Sequence, residues 1–223
     1  MITIKDILKH PKYNLSRLIP PVVNKSIKGR VGGVISHHML YVLKAMMGDF
    51  CKTYLEIGVM HGGSLIVTMQ EEHPATFVGV DLFKGFYGMD NDPYTGIEVS
   101  LEVVEENINN NNPHKHPFKL IKGSSHTKKT FAQVKEACPV VDLLFIDGNH
   151  SKTGVIKDFK LYSQLLRKKS IVVFDNYRDR RWPGVSRAIK ELDFSGYGII
   201  GEYFPEQHKT KGAGFFIIQR KID

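Results

Sequence analysis

Cysteine and tryptophan are nearly absent from this chain: 223 residues hold Cys51, Cys138 and a single tryptophan, Trp182. Two thiols so far apart give no metal-ligand spacing and a poor disulfide framework, and a reducing cytoplasm is the expected home. Long apolar runs are lacking too. Runs such as "IVVF" and "LLFI" have the length of strands, so no membrane span is expected. The opening "MITIKDILKHPKYN" sets Lys5, Asp6 and Lys9 where a secretory signal needs its apolar centre. Two fingerprints are also missing. Without G-x-G-x-x-G the chain has no signature for a dinucleotide pyrophosphate, and without G-x-x-x-x-G-K-[ST] it has no phosphate loop. Positive charge is in excess, with a net charge of +8, yet it is spread out. No Lys/Arg helix face and no aromatic-basic RNA-binding segment stands out, so the excess reads as a solubility feature and no nucleic-acid partner is expected.

What is present is an alternation. After a helical lead-in over residues 1–50, which includes "ISHHMLYVLKAMM" and ends near Gly48, strand and helix patterns take turns through a single domain over 51–223. Strands are expected at 53–59, 75–81, 117–123, 140–147 and 170–176. Helices are expected at 62–72, 96–110, 127–137, 152–168 and 184–192. The helix at 152–168 sets Val155, Ile156, Phe159, Tyr162 and Leu166 on one face. Strands too apolar to have a wet face indicate a parallel sheet covered on both sides. The last two, "GYGIIGEYF" and "GAGFFIIQR", have only a polar loop between them and should pair antiparallel. The fold class is therefore α/β: a doubly wound, mostly parallel seven-stranded sheet ending in an antiparallel hairpin.

In such sheets ligands bind beyond the C-terminal ends of the strands, near the point where strand order reverses. Each of the five parallel strands ends in polar or glycine-rich groups: Glu56 to Ser64, Asp81, Gly123 to His126, Asp147 to His150, and Asp175 with Asn176. Glycines at 58, 62 and 63 allow a close backbone approach, and an acid such as Asp81 can accept hydrogen bonds from both hydroxyls of a ribose. Each of these features also has a plainer reading, as a tight turn or a solvated strand-end acid.

Taken in order, "LEIGVMHGGS", "VGVD", "IKGSSH", "LLFIDGNH" and "IVVFDN" resemble the class I S-adenosylmethionine-dependent methyltransferases. More narrowly they resemble the metal-dependent small-molecule O-methyltransferases of the catechol, caffeoyl-CoA and macrocin-type sugar groups. The likeness covers roughly residues 50–195. It implies that Glu56, Gly58 and Gly62 form the turn under the methionine part of S-adenosyl-L-methionine, that Ser64 hydrogen-bonds its carboxylate and that Asp81 holds its ribose. Ser125 and His126 would sit beside the adenine. Asp147, Asp175 and Asn176 match the three protein ligands of a magnesium ion.

The chemistry of those three side chains agrees with that ion. Mg²⁺ prefers oxygen donors and keeps positions open for water or substrate, and no Cys/His set offers the softer donors of a zinc site. The alternative is that Asp147 caps the following helix and Asp175 hydrogen-bonds its own loop. A bound divalent ion would orient an acceptor hydroxyl and lower its pKa, after which a base must take the proton. In the catechol and caffeoyl-CoA enzymes a lysine lies three residues beyond the first metal aspartate; here that place is His150, either as base or as an orienting group. The acceptor is expected to be a small hydroxylated molecule, a sugar or another polyhydroxylated compound, with no membrane partner and with a homo-oligomer allowed. Arg178, Arg180, Arg181 and Arg187 around Trp182 could receive an anionic group on it. The loop 82–96 and the segment "GRVGGVISHH" are candidate covers for the cleft, with no residue assigned. Three rival readings stay open: a metal-independent methyltransferase with His150 as base, a nicotinamide-dependent oxidoreductase, and a non-catalytic nucleic-acid or partner-binding module.

Overall fold

The protein is described by a computed structural model covering residues 2–32, 36–85, 89–205 and 213–222. Parts of the segment at 29–38, of the loop at 82–96 and of the final hairpin loop lie outside the described residues. Seven strands form one sheet: β1 (Thr53–Ile57), β2 (Thr76–Asp81), β3 (Phe118–Lys122), β4 (Val141–Ile146), β5 (Leu166–Tyr177), β6 (Tyr197–Tyr203) and β7 (Gly214–Arg220). Their order is β3-β2-β1-β4-β5-β7-β6. The first five run parallel, and β7 inserts antiparallel between β5 and β6. This is the doubly wound sheet with a terminal antiparallel pair that the alternation predicts. Strand order reverses between β1 and β4, which opens a crevice above their C-terminal ends.

The helices are α1 (Ile4–Lys9), α2 (Lys12–Ser16), α3 (Ile19–Ser26), α4 (His38–Met47), α5 (Gly63–Met69), α6 (Leu101–Asn111), α7 (Lys128–Ala137), α8 (Lys152–Tyr162) and α9 (Pro183–Glu191). Successive strand residues point to opposite faces, so each central strand feeds two cores. Tyr54, Phe77, Leu143, Phe145, Val173 and Phe215 join Leu40 and Leu43 of α4 and Leu65 of α5 in one of them. Leu55, Val78, Leu144, Val172 and Phe174 join Phe159 of α8 and Ala188 of α9 in the other. The lead-in packs into the first core through Ile7, Val23 and Ile27. No helix among the described residues is long and apolar enough to cross a membrane.

Two boundaries depart from the sequence pattern. The helix expected from residue 96 starts at Leu101, where the Ser100 side chain accepts from the Val103 amide. Just before it, Asn91 and Glu98 form an antiparallel bridge, which keeps the chain extended. The helix expected to reach 168 ends at Tyr162, and after a short 3₁₀ turn Leu166 already pairs with Val141 as the first residue of β5. Leu166 therefore belongs to the sheet and not to the helix face. Pairing with β4 decides the local choice, and the irregular register is absorbed at Lys169, which has a φ of 69°.

Candidate active site

Backbone geometry shapes the crevice first. After β1 the chain turns through Gly58 (φ 89°), Met60 (φ 52°) and Gly62 (φ 82°), all left-handed. A side chain at Gly58 would collide with the backbone carbonyl of Asp147, so glycine is required where the ends of β1 and β4 meet. Asp81, at the end of β2, reaches across to this turn. Its Oδ2 accepts from the amides of Val59 (2.7 Å) and Met60 (3.0 Å), and its Oδ1 accepts from the amide of Phe83 (2.9 Å). A carboxylate offers about four acceptor sites, so this acid shapes the loop while keeping capacity for a ligand.

Glu56 is fully buried at the end of β1. Tyr54 Oη donates to its Oε2 (2.6 Å) and Ser64 Oγ to its Oε1 (2.5 Å). Burial pushes the Glu56 carboxyl up to about 8, against the pull of those two hydrogen bonds. The hydroxyl proton of Ser64 is thus directed at Glu56. After β3, His126 Nε2 lies 3.1 Å from Oδ1 of the buried Asp158, and the Ser125 carbonyl accepts from Tyr162 Oη at 2.9 Å. The Asp158 carboxylate raises the pKa of His126. Tyr162 of α8 thus holds the Ser125 carbonyl, and Asp158 of the same helix stands beside His126.

The centre of the crevice is acidic. β4 and β5 are parallel neighbours with Ile146 opposite Phe174, so the next residues, Asp147 and Asp175, stand side by side. Burial pushes Asp147 up to about 8, and burial together with the neighbouring Asp147 raises Asp175 well above the usual carboxylate range. Two carboxyls in one desolvated place do not both ionise without a cation or a shared proton. Asn176 follows in a left-handed conformation with φ 53°. His150 Nε2 lies 3.0 Å from Asp147 Oδ1, and its ring sits 4.9 Å from that of Trp182. Burial lowers the pKa of His150, which favours the neutral imidazole.

Sequence reasoning missed one member of this cluster. His37, just before α4, brings a ring nitrogen to a place where it and carboxylate oxygens of Asp147 and Asp175 all lie within 4.8 Å of one another. Its exposure is 2%, and burial lowers its pKa to about 3, so it enters the cluster as a neutral imidazole. The only signal was the His-His doublet ahead of an apolar helix, which does not tell which ring faces the sheet. The arginine group is divided by the structure. Arg178 turns away to Glu202 (2.9 Å), while Arg181 and Arg187, with Lys152, His150 and Trp182, line a cleft of about 410 Å³ beside the acidic centre.

With this geometry in view, the comparisons with known proteins converge. A family described as a methyltransferase domain matches residues 55–177. The chain belongs to that family. An uncharacterized protein, R132, of Acanthamoeba polyphaga mimivirus is 30% identical over 210 residues, covering 89% of this chain and 85% of its own. Among solved structures, an O-methyltransferase from Bacillus cereus in complex with SAH superposes with a TM-score of 0.58 at 14% identity, over 96% of this chain and 92% of that one. CalS11, a TDP-rhamnose 3'-O-methyltransferase of calicheamicin biosynthesis, superposes with a TM-score of 0.57 at 16% identity, over 96% of this chain and 97% of its own. At such identities the likeness shows the fold, which is that of the class I methyltransferases. The match covers every strand of the parallel part that carries a residue of the crevice.

Proposed function

We propose that this methyltransferase is a divalent-cation-dependent O-methyltransferase, moving a methyl group from S-adenosylmethionine to a hydroxyl of a small acceptor. The observation that carries the reading is the pairing of Asp147 with Asp175 at the strand-order switch, with His150 3.0 Å from the first of them. Two crowded carboxyls that do not both ionise unaided form a set that a cation would complete by displacing their protons, and the Asn176 amide at the same strand end would supply a further oxygen. On oxygen donors alone Mg²⁺ is the expected ion. Bound there, a divalent cation supplies a Lewis acid that orients the acceptor hydroxyl and lowers its pKa.

S-adenosylmethionine supplies an electrophilic methyl, and this chain's part is to hold it in line with the acceptor oxygen. Gly58 and Gly62 open the turn for the methionine portion, with Glu56 and Ser64 beneath it. Asp81 receives the ribose while bracing the same turn, and Ser125 and His126 flank the base. The cofactor seen with the Bacillus cereus relative supports this part of the reading. His150 takes the acceptor proton. If its Nε2–H donates to Asp147, the basic lone pair is on Nδ1, and the lowered pKa keeps that nitrogen unprotonated at neutral pH. In the cleft Arg181 is held by Asp179 (2.7 Å) and Lys152 by Glu191 (2.6 Å), so Trp182 with Arg187 suits an acceptor with an apolar face and an anionic group. The sugar-directed activity printed for CalS11 supports a sugar or polyhydroxylated acceptor. A cytoplasmic location belongs to the same reading.

The contact between His150 and Asp147 also favours a second reading, in which this dyad removes the proton without a metal. One experiment separates the two. A panel of hydroxylated acceptors, sugar nucleotides included, is incubated with enzyme and S-adenosylmethionine, and products are read by mass spectrometry for a methyl-sized gain, with Mg²⁺ and with EDTA. Gain abolished by EDTA supports the cation-dependent reading. Gain that persists in EDTA supports the dyad, and no affinity for S-adenosylmethionine by calorimetry would overturn both.

A further inference from the structure

We infer that His37 is a nitrogen ligand of the cation site, so that the site prefers ions of the Mn²⁺-to-Zn²⁺ series over Mg²⁺. The inference rests on the cation-dependent reading above and specifies the class of ion.

The contrast with the next residue carries it. His37 and His38 are both buried, at 2% and 0% exposure. His38 is satisfied at both ring nitrogens: Nδ1 lies 2.9 Å from Ser16 Oγ and Nε2 lies 2.7 Å from Tyr203 Oη. Among the described residues neither ring nitrogen of His37 has a hydrogen-bond partner. A buried polar group left unpaired bears its full desolvation penalty, and a structural histidine in an apolar wall would be better replaced by phenylalanine. The wall is aromatic, for the His37 ring stacks on Phe215 (6.1 Å between centroids, 18° between planes) and meets Phe145 edge-on at 5.7 Å. Among the described residues the pair of carboxylates is a polar destination in reach, with donor atoms from all three side chains inside 4.8 Å. Donors sharing one ion at about 2.1 Å lie at most about 4.2 Å apart. From 4.8 Å the widest pair must close by about 0.6 Å or more for the set to share one ion.

A neutral imidazole beside two carboxylates changes which ion the site holds. Mg²⁺ takes oxygen donors, whereas imidazole suits the later first-row divalent ions, whose affinity for mixed N/O sites rises along the series from Mn²⁺. Because His37 leads into α4 while Asp147 and Asp175 end strands of the sheet, the ion would also tie the N-terminal lead-in to the crevice.

The test titrates the full chain with Mg²⁺, Mn²⁺ and Co²⁺ by calorimetry and records the visible absorption of the Co²⁺ form. Wild type is compared with His37→Phe, which keeps the ring packing, with His37→Asn, which keeps a polar group, and with Asp175→Asn. Wild type should bind Co²⁺ at least about tenfold more tightly than Mg²⁺. Both His37 variants should lose about 10- to 100-fold in Co²⁺ affinity, shift the Co²⁺ bands toward those of an all-oxygen site, and hold Mg²⁺ within about threefold of wild type. Unchanged Co²⁺ affinity and spectrum in both folded His37 variants, with binding lost in Asp175→Asn, would overturn the inference and leave the cation-dependent reading standing. No ion bound by wild type, with or without S-adenosylmethionine, would overturn both.

Discussion

The two edges of the parallel sheet bury acids in opposite ways. At the edge where the strands begin, Glu71 is fully buried but met by the buried ammonium of Lys44 at 2.7 Å, by Lys12 at 3.2 Å and by His73 at 2.7 Å. Burial alone would raise its pKa, but the hydrogen bonds from Lys44 and His73 hold it down to about 2. Nearby, Asp142 accepts from the amides of Lys52 and Thr53 and from Arg167 Nε. At the edge where the strands end, Glu56, Asp147 and Asp175 are raised instead, with burial as the largest cause for each. The fold therefore supplies counter-charges where an acid serves packing and omits them where acids converge on the crevice. An uncompensated acidic centre is the stronger mark of a site because Glu71 and Asp142, buried in the same chain, are each met by a cation.

Breaking the comparison at the crevice should have the largest effect. Asp175→Asn is expected to lower turnover by about 10³-fold, the several kcal/mol that a bound ion contributes to the reaction, while lessening the fall of the melting temperature with rising pH in EDTA, because one group that holds a proton in the folded chain is gone. A variant with wild-type turnover and an undiminished decline would refute both halves. At the opposite edge, Lys44→Met should destabilise by about 3 kcal/mol, near the lower end of the penalty for an orphaned buried charge, since Lys12 and His73 still reach Glu71. Urea titration reads that loss, and donor affinity should stay at the wild-type level in the folded fraction. Asp81→Asn should follow at about 2 kcal/mol, because the amide brings an NH₂ to a place that now accepts three backbone N–H groups. It should also weaken S-adenosylmethionine binding by calorimetry, and an unchanged affinity would remove Asp81 from the cofactor site.

The sheet was legible because its signals are local. Runs such as "LLFI" and "SIVVFDN" are too apolar for a half-exposed strand, and the absence of a helix between the last two strands was enough to predict the antiparallel pair. Asp147 and Asp175 were legible for the same reason, each closing such a run, and the parallel pairing of β4 with β5 placed them side by side. What escaped depends on distant partners. The end of α8 was overrun because Leu166 fits a helical face equally well, and only pairing with Val141 assigns it to the sheet. His38 is satisfied by Ser16 and Tyr203, far away in the chain, so no period in "SHHML" marks its neighbour His37 as the ring that meets the carboxylates. The arginines after β5 read as one group, and it took Glu202 on β6 to draw Arg178 out of it.

The smallest expected effect sharpens the comparison by pH. Asp147 and Glu56 hold their protons up to about pH 8 in the folded chain, and Asp175 is raised as well, whereas an unfolded carboxyl releases its proton near pH 4. Across the interval the folded state binds more protons than the unfolded one, so stability must fall as pH rises, by about 1.4 kcal/mol per pH unit for each full excess proton. In the window from about pH 7 to 8 these groups set most of the slope, with a smaller addition of the same sign from His126, which Asp158 raises. Buried His37 and His38, lowered to about 3 and about 4 from 6.5, have most of their effect below this window and oppose the decline only at its lower end. The two cysteines, pushed to about 12 from 9.0, have theirs above it. In EDTA the melting temperature should therefore decline through this window. Saturating divalent cation should flatten the decline, because an ion in the crevice displaces the protons of Asp147 and Asp175 and binds more tightly as pH rises. Glu71, held down to about 2, is ionised in the folded and the unfolded chain alike across this window and adds no slope here. A decline of equal steepness with and without cation would mean that the paired aspartates hold no ion, and that the acids of the crevice are charged or neutral for reasons of packing alone.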